Sequence, residues 1–115
     1  MAEEPKGVEN ITGPDLERIV AEADPEEVLI LDLWADWCHP CKRIEPYLYE
    51  MAEKHPGRVR VLRLNIDHYP DVPARLGVMS IPTIIFYKGG QERWRYVGAR
   101  PKKDYIRKTE ELLQS

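Results

Sequence analysis

The sequence has little of several things, and each shortage excludes a class. Only two cysteines, Cys38 and Cys41, occur in 115 residues. That is too few for a small secreted domain stapled by disulfides. No apolar run approaches the roughly 20 residues of a membrane-spanning helix; stretches such as Val28 to Leu31 stop far short. Basic residues are not in excess, since 17 Lys and Arg face 20 Asp and Glu for a net charge of −3. A basic face for nucleic acid or an anionic membrane is therefore not expected. The start, Met1-Ala2-Glu3-Glu4-Pro5-Lys6, is polar and lacks the apolar core of a secretory signal. Internal repeats and low-complexity stretches are missing too. Together these absences leave a protein expected in the reducing cytoplasm, with neither nucleic acid nor membrane as partner.

What is present is an ordinary globular composition, 43% hydrophobic and 32% charged, in a length that suits one domain. Residues 1–7 read as a loose, flexible extension and residues 8–115 as the domain. Val8 to Ile11 can form a short edge strand. Thr12-Gly13-Pro14-Asp15 reads as a helix start, and Asp24-Pro25 ends that helix. Val28 to Trp34 is apolar on both alternating faces except at Asp32, as in a strand covered on both sides. The next helix begins near Cys38, with Cys41, Ile44, Leu48 and Met51 in one stripe and Pro46 as a kink. Val59 to Ile66 is a second strand, with partial alternation. Residues 67–77 are irregular or briefly helical.

Thr83 to Tyr87 is a third clear strand, and Lys88-Gly89-Gly90-Gln91 turns tightly into Glu92 to Val97. Trp94 and Tyr96 read as packing on the faces of that hairpin. Lys102 to Gln114 closes the chain as a helix, Arg100-Pro101-Lys102-Lys103 being a solvated start. The order β-α-β-α-β-α-β-β-α describes an α/β protein. Its central mixed sheet has four to five strands, with helices on both faces. Alternating strands and helices argue parallel pairing; the closing hairpin must be antiparallel.

The chemistry sits in Trp34-Ala35-Asp36-Trp37-Cys38-His39-Pro40-Cys41-Lys42. Cysteines three apart lie on one helix face, close enough to bond. Cys38 also points at the unpaired N–H groups of the helix start, where a thiolate is favoured. A dithiol/disulfide redox pair follows. The plainer alternatives are structural thiols or half of a zinc site. Zinc wants four ligands, and His55 and His68 stand alone, so no metal is expected. His39, between the cysteines, should stabilise the Cys38 thiolate and make the disulfide more oxidising. Pro40 stiffens the first helical turn. Asp32 interrupts an apolar strand, and burial without a partner should raise its pKa; a plainer reading has Arg63 satisfy it. Trp34 reads as packing under the motif.

These pieces resemble the thioredoxin family. The match rests on Asp32, on the Trp34 to Lys42 motif with Pro46 behind it, and on Leu64-Asn65-Ile66-Asp67. Ile81-Pro82-Thr83, about 40 residues beyond Cys41, adds to it, as do Lys88-x-Gly90 and Val97-Gly98-Ala99. It covers about residues 8–113. The chain departs in three places: His39 stands where a glycine is usual, Arg63 where a lysine usually faces the buried aspartate, and the acidic residues 1–6 have no counterpart in the motif. The resemblance implies the thioredoxin fold and a protein-disulfide reductase. Cys38 would be the exposed attacking thiolate, Cys41 the buried resolving thiol, and Asp32 the proton acceptor for Cys41. It implies a cis Ile81–Pro82 bond that leaves the Ile81 backbone free for a substrate strand. Trp37, Ile81, Pro82, Val97, Gly98 and Ala99 would form an apolar docking rim, with Gly98 allowing close backbone approach. No cofactor would be bound; electrons would reach the Cys38–Cys41 disulfide from an NADPH-dependent thioredoxin reductase. Disulfide-containing proteins would be the other partners, and the chain would act as a monomer. Two alternatives stay open: a disulfide oxidase or isomerase whose potential is raised by His39, and a non-catalytic binding module of the same fold.

Overall fold

A computed structural model describes residues 5–115. The elements are β1 (Val8–Asn10), α1 (Gly13–Glu22), β2 (Val28–Trp34), α2 (His39–Lys54), β3 (Val59–Asn65), α3 (Asp71–Leu76), β4 (Thr83–Lys88), β5 (Gln91–Val97) and α4 (Lys102–Gln114). One five-stranded sheet has the order β1-β3-β2-β4-β5. This is the α/β thioredoxin fold expected from the sequence, with β1 as an edge strand. The expected extension at residues 1–7 lies partly outside the described residues. Its described end is tied down: Gly7 accepts a hydrogen bond from Val61 N–H at 2.8 Å.

Local chemistry explains the element ends. The Thr12 hydroxyl caps α1 by accepting from Asp15 N–H at 3.3 Å. Gly89 and Gly90 take φ of +63° and +80°, as a two-residue turn between Lys88 and Gln91 demands. Lys88 itself is buried and reaches the far helix, donating to Leu112 O at 2.6 Å and Ser115 O at 2.8 Å. It adds a charged donor at the end of α4, where Leu112 O also accepts from Ser115 N–H and Oγ.

Two layers of core cover the central strands. Alternate β2 residues Val28 and Ile30 face α2 and α4, packed with Ile44, Leu48, Met51 and Tyr105. Leu29, Leu31 and Leu33 face α1 and α3, packed with Leu16, Ile19 and Val72. The doubly apolar reading of β2 therefore reflects a strand buried on both faces. Tyr96 stacks edge-on against Phe86 and Tyr105, whereas Trp94 lies outside beneath Lys108, whose Nζ is 3.9 Å from the ring centre.

One pairing expectation is corrected. β1 and β2 run parallel to β3, but β4 runs antiparallel to β2, with Leu33 opposite Thr83. The link from β3 to β4 carries only the short α3 (Asp71–Leu76) and does not run back to the start of β3. The chain stays at the end where β3 finishes, and β4 starts there. That end of the sheet carries the site.

Candidate functional site

β2 delivers the motif. After Trp34 the chain makes a turn in which Cys38 N–H donates to Ala35 O at 3.1 Å, and α2 begins at His39. Cys38 is the N-cap, with extended backbone at φ −95° and ψ 95°. Its Sγ accepts the N–H of Cys41 at 3.2 Å, so the first sulfur does face the donors of the helix start. Pro40, in the first turn, has no N–H to leave unpaired there. Cys38 and Cys41 are joined as a disulfide with Cα atoms 5.3 Å apart.

The surroundings of the sulfurs correct one expectation. Cys38 was expected to be exposed; its exposure is 4%, and that of Cys41 is 0%. Bonded to Cys41, Cys38 packs in an apolar cluster with Ala35, Trp34, Ile66 and Ile81. Cys41 Sγ lies 4.0 Å from the carbonyl oxygen of Leu33, the strand residue after Asp32. His39, the residue after Cys38, is exposed.

Asp32 is fully buried, and neither carboxyl oxygen has a hydrogen-bond partner. Burial is the main cause that pushes its pKa up to about 7; Glu45 pushes the same way, and Arg63 opposes. In register Asp32 sits opposite Arg63 of β3. Arg63 does not satisfy it: the closest approach, from Nε to Oδ2, is 3.9 Å, too long for a hydrogen bond. The guanidinium instead donates to Glu45 Oε2 from Nε at 3.1 Å and from Nη2 at 2.6 Å. It also lies 4.1 Å over the centre of the Trp34 ring. Trp34 is thus half-buried packing with a cation on its face.

Across the sulfurs, the Ile81–Pro82 bond is cis. Thr83 Oγ1 donates to Ser80 O at 2.7 Å, and Gly98 N–H donates to Pro82 O at 2.8 Å. Between these two tied residues, no backbone hydrogen bond among the described residues uses the N–H or C=O of Ile81. Gly98 has φ +88°, and a methyl group built on it would meet nothing within 4 Å. Within the chain, glycine is required there by backbone conformation rather than by crowding. Val97 and Trp37 are exposed at 63% and 62%, Ala99 is exposed, and Pro82 is buried.

Three residues gained no role from the sequence. Asp67 holds the Trp37 indole, accepting from Nε1 at 2.9 Å. Met79, 99% exposed, borders a shallow apolar depression of about 250 Å³ shared with Trp37, Ile66, Val78 and Ile81. Glu45 is the third; its signal was its place four residues after Cys41, on the same helix face. Among the described residues, no three His, Cys, Asp or Glu side chains gather around a point where a metal could sit, and no helix is long and apolar enough to cross a membrane.

The family model described as Thioredoxin matches residues 7–111. The chain is 36% identical to a thioredoxin of Rickettsia felis over 103 residues, covering 87% of this chain and 96% of that one. It is 40% identical to a thioredoxin of Streptomyces clavuligerus over 100 residues, 87% of this chain and 91% of the relative. It is 42% identical to a thioredoxin of Haemophilus influenzae over 93 residues, covering 81% and 85%.

Proposed function

Because the chain belongs to the thioredoxin family and is a thiol-disulfide oxidoreductase, we propose that it acts as a general reductase of protein disulfides in the cytoplasm. The observation that carries this reading is the Cys38–Cys41 disulfide at the start of α2, its N-cap sulfur receiving the Cys41 N–H. In the reduced protein the same donor stabilises a Cys38 thiolate, the reactive form.

The reaction runs by exchange. The Cys38 thiolate attacks one sulfur of a substrate disulfide; that S–S bond breaks and one substrate thiolate leaves. The Cys41 thiol gives its proton to Asp32, directly or through water, and the Cys41 thiolate attacks Cys38 Sγ. The mixed disulfide breaks, the second substrate thiolate leaves, and the Cys38–Cys41 bond forms. Two electrons pass to the substrate, whose thiolates take up two protons. Asp32, with a pKa pushed up to about 7, can both accept and return a proton near neutral pH.

Docking uses the free backbone of Ile81, which pairs with an extended segment of substrate as a short added strand. Trp37, Val97, Gly98 and Ala99 form the apolar rim around it, the buried Pro82 shaping the turn beside it, and His39 tunes the potential. The protein works as a monomer, and electrons return from NADPH through a thioredoxin reductase. Insulin reduction coupled to NADPH oxidation by a thioredoxin reductase tests the reading. Turnover that disappears in Cys38→Ser supports it. A wild-type protein that oxidises dithiols but does not turn over insulin under these conditions overturns it. A Cys41→Ser variant should accumulate mixed disulfides with substrate proteins.

A further inference from the structure

Asp32 and Arg63 are opposite-charge neighbours in register on adjacent strands, yet no hydrogen bond joins them and their charges approach only to 3.9 Å. A buried carboxylate beside a guanidinium should recruit it, since the alternative is an unsatisfied group. The explanation lies on α2. All three nitrogens of the Arg63 guanidinium are engaged elsewhere: Nε and Nη2 donate to Glu45 Oε2, and Nη1 donates to Asn10 Oδ1 at 2.9 Å. The Trp34 ring supports the face of the group. Glu45 and Arg63 are both mostly buried, at 14% and 13% side-chain exposure, so their ion pair is less screened than a surface one.

We propose that Glu45 is a positioning residue that holds Arg63 away from Asp32 and so keeps the Asp32 carboxyl free to exchange a proton with Cys41. The proposal rests on the reading of Asp32 as that proton acceptor. Glu45 stands one turn after Cys41 on the same helix, so the restraint and the resolving thiol move as one body. The ionisable groups that bear on this carboxyl come from three elements. Glu45 and Cys41 belong to α2, where Tyr49 acts on Arg63 in turn; Arg63 belongs to β3 and Tyr105 to α4. Of these, only Arg63 is a cation able to lower the Asp32 pKa by contact. Moving it by about 1 Å would turn a 3.9 Å separation into a charge-assisted hydrogen bond.

The test uses the oxidised full chain, in which the cysteines do not titrate and the carboxyl is read alone. Carbon-13 NMR of labelled aspartate follows the Asp32 carboxyl across pH, assigned by its loss in Asp32→Asn. Glu45→Ala should lower the midpoint by about one unit or more, the range for a carboxylate gaining a cationic partner. Glu45→Gln, whose amide oxygen still accepts from Arg63, should shift it less, and it serves if the alanine variant does not fold. Loss of the Glu45 charge alone would also lower the midpoint, so the substitution is repeated in Arg63→Gln. There the drop should shrink to less than half. An unmoved midpoint, or an equal drop in both backgrounds, overturns the proposal. The Asp32 role is read separately, from the pH profile of disulfide exchange. If Asp32→Asn leaves that profile in place, the proton-acceptor reading fails, while the NMR midpoints still decide whether Glu45 restrains Arg63.

Discussion

The indole N–H of Trp37 donates to the carboxylate of Asp67 at 2.9 Å, tying the residue before Cys38 to the loop after β3. Asp67 is itself fixed, its N–H donating to Asn65 Oδ1 at 2.9 Å. A large exposed ring is thereby held in one orientation beside the sulfurs. If that ring docks protein partners, Asp67→Ala should lower kcat/KM on a protein disulfide about fivefold, the equivalent of one hydrogen bond of about 1 kcal/mol. Reduction of a small aromatic disulfide should change little. Equal losses on both substrates would place the effect on the chemistry instead.

Asp32 sets a pH dependence of stability. Its pKa in the folded protein, about 7, lies above the ordinary value of 3.8. Between those values the folded chain holds a proton that the unfolded chain has lost. Stability therefore falls as pH rises from about 4 to about 7 and stays low above that. At about 1.4 kcal/mol per pKa unit the penalty at pH 8 is on the order of a few kcal/mol. Asp32→Ala should accordingly raise the urea midpoint of the oxidised protein at pH 8, with the gain fading towards pH 4. The same variant should slow disulfide reduction near neutral pH.

His39 is the first residue of α2 and adjoins Cys38 on its solvent side. If the imidazole supports the Cys38 thiolate as proposed, removing it withdraws support from the reduced form. His39→Gly should lower the reduction potential by about 10–30 mV, where about 30 mV corresponds to 1.4 kcal/mol. Equilibration with glutathione buffers measures it, and an equal or higher potential counts against the role.

Lys88 is buried, with its ammonium group on the last carbonyls of α4. Lys88→Met keeps the apolar stem but removes the ammonium donor from Leu112 O and Ser115 O. The expected cost is about 1–3 kcal/mol in urea unfolding. Amide hydrogen exchange should quicken in the last turn of α4 and not in α2. Uniform quickening would assign Lys88 to global stability rather than to that helix end.

Much of this was legible in the sequence because the signals were local. The unbroken apolar run of β2, the Cys41, Ile44, Leu48, Met51 stripe and the paired glycines of the hairpin each depend on neighbours in the chain. So does the helix start at Cys38, where cap, proline and cysteine spacing agree. The direction of β4 was not legible, since it depends on the path that the link from β3 takes in space and not on neighbours in the chain. The engagement of Arg63 was missed for a related reason. Its register opposite Asp32 predicts a pair; its actual partner comes from a helix in another layer. The exposure of Cys38 depends on Ile81 and Ile66, which reach it from distant loops and carry no sign of it in their own surroundings.

The antiparallel pairing of β2 with β4 has a mechanical consequence. Cys38 follows the end of one strand, and Pro82 precedes the start of the other. Those strands are laced together from Leu33–Thr83 to Leu29–Tyr87. Cys38 and Pro82 are thus anchored to adjacent rows of one hydrogen-bonded sheet. Spreading them apart would require unzipping the centre of the protein. In the proposed docking mode the spacing between Cys38 and Pro82 is therefore set in advance, and an incoming disulfide-bearing segment would have to extend and bend to meet it.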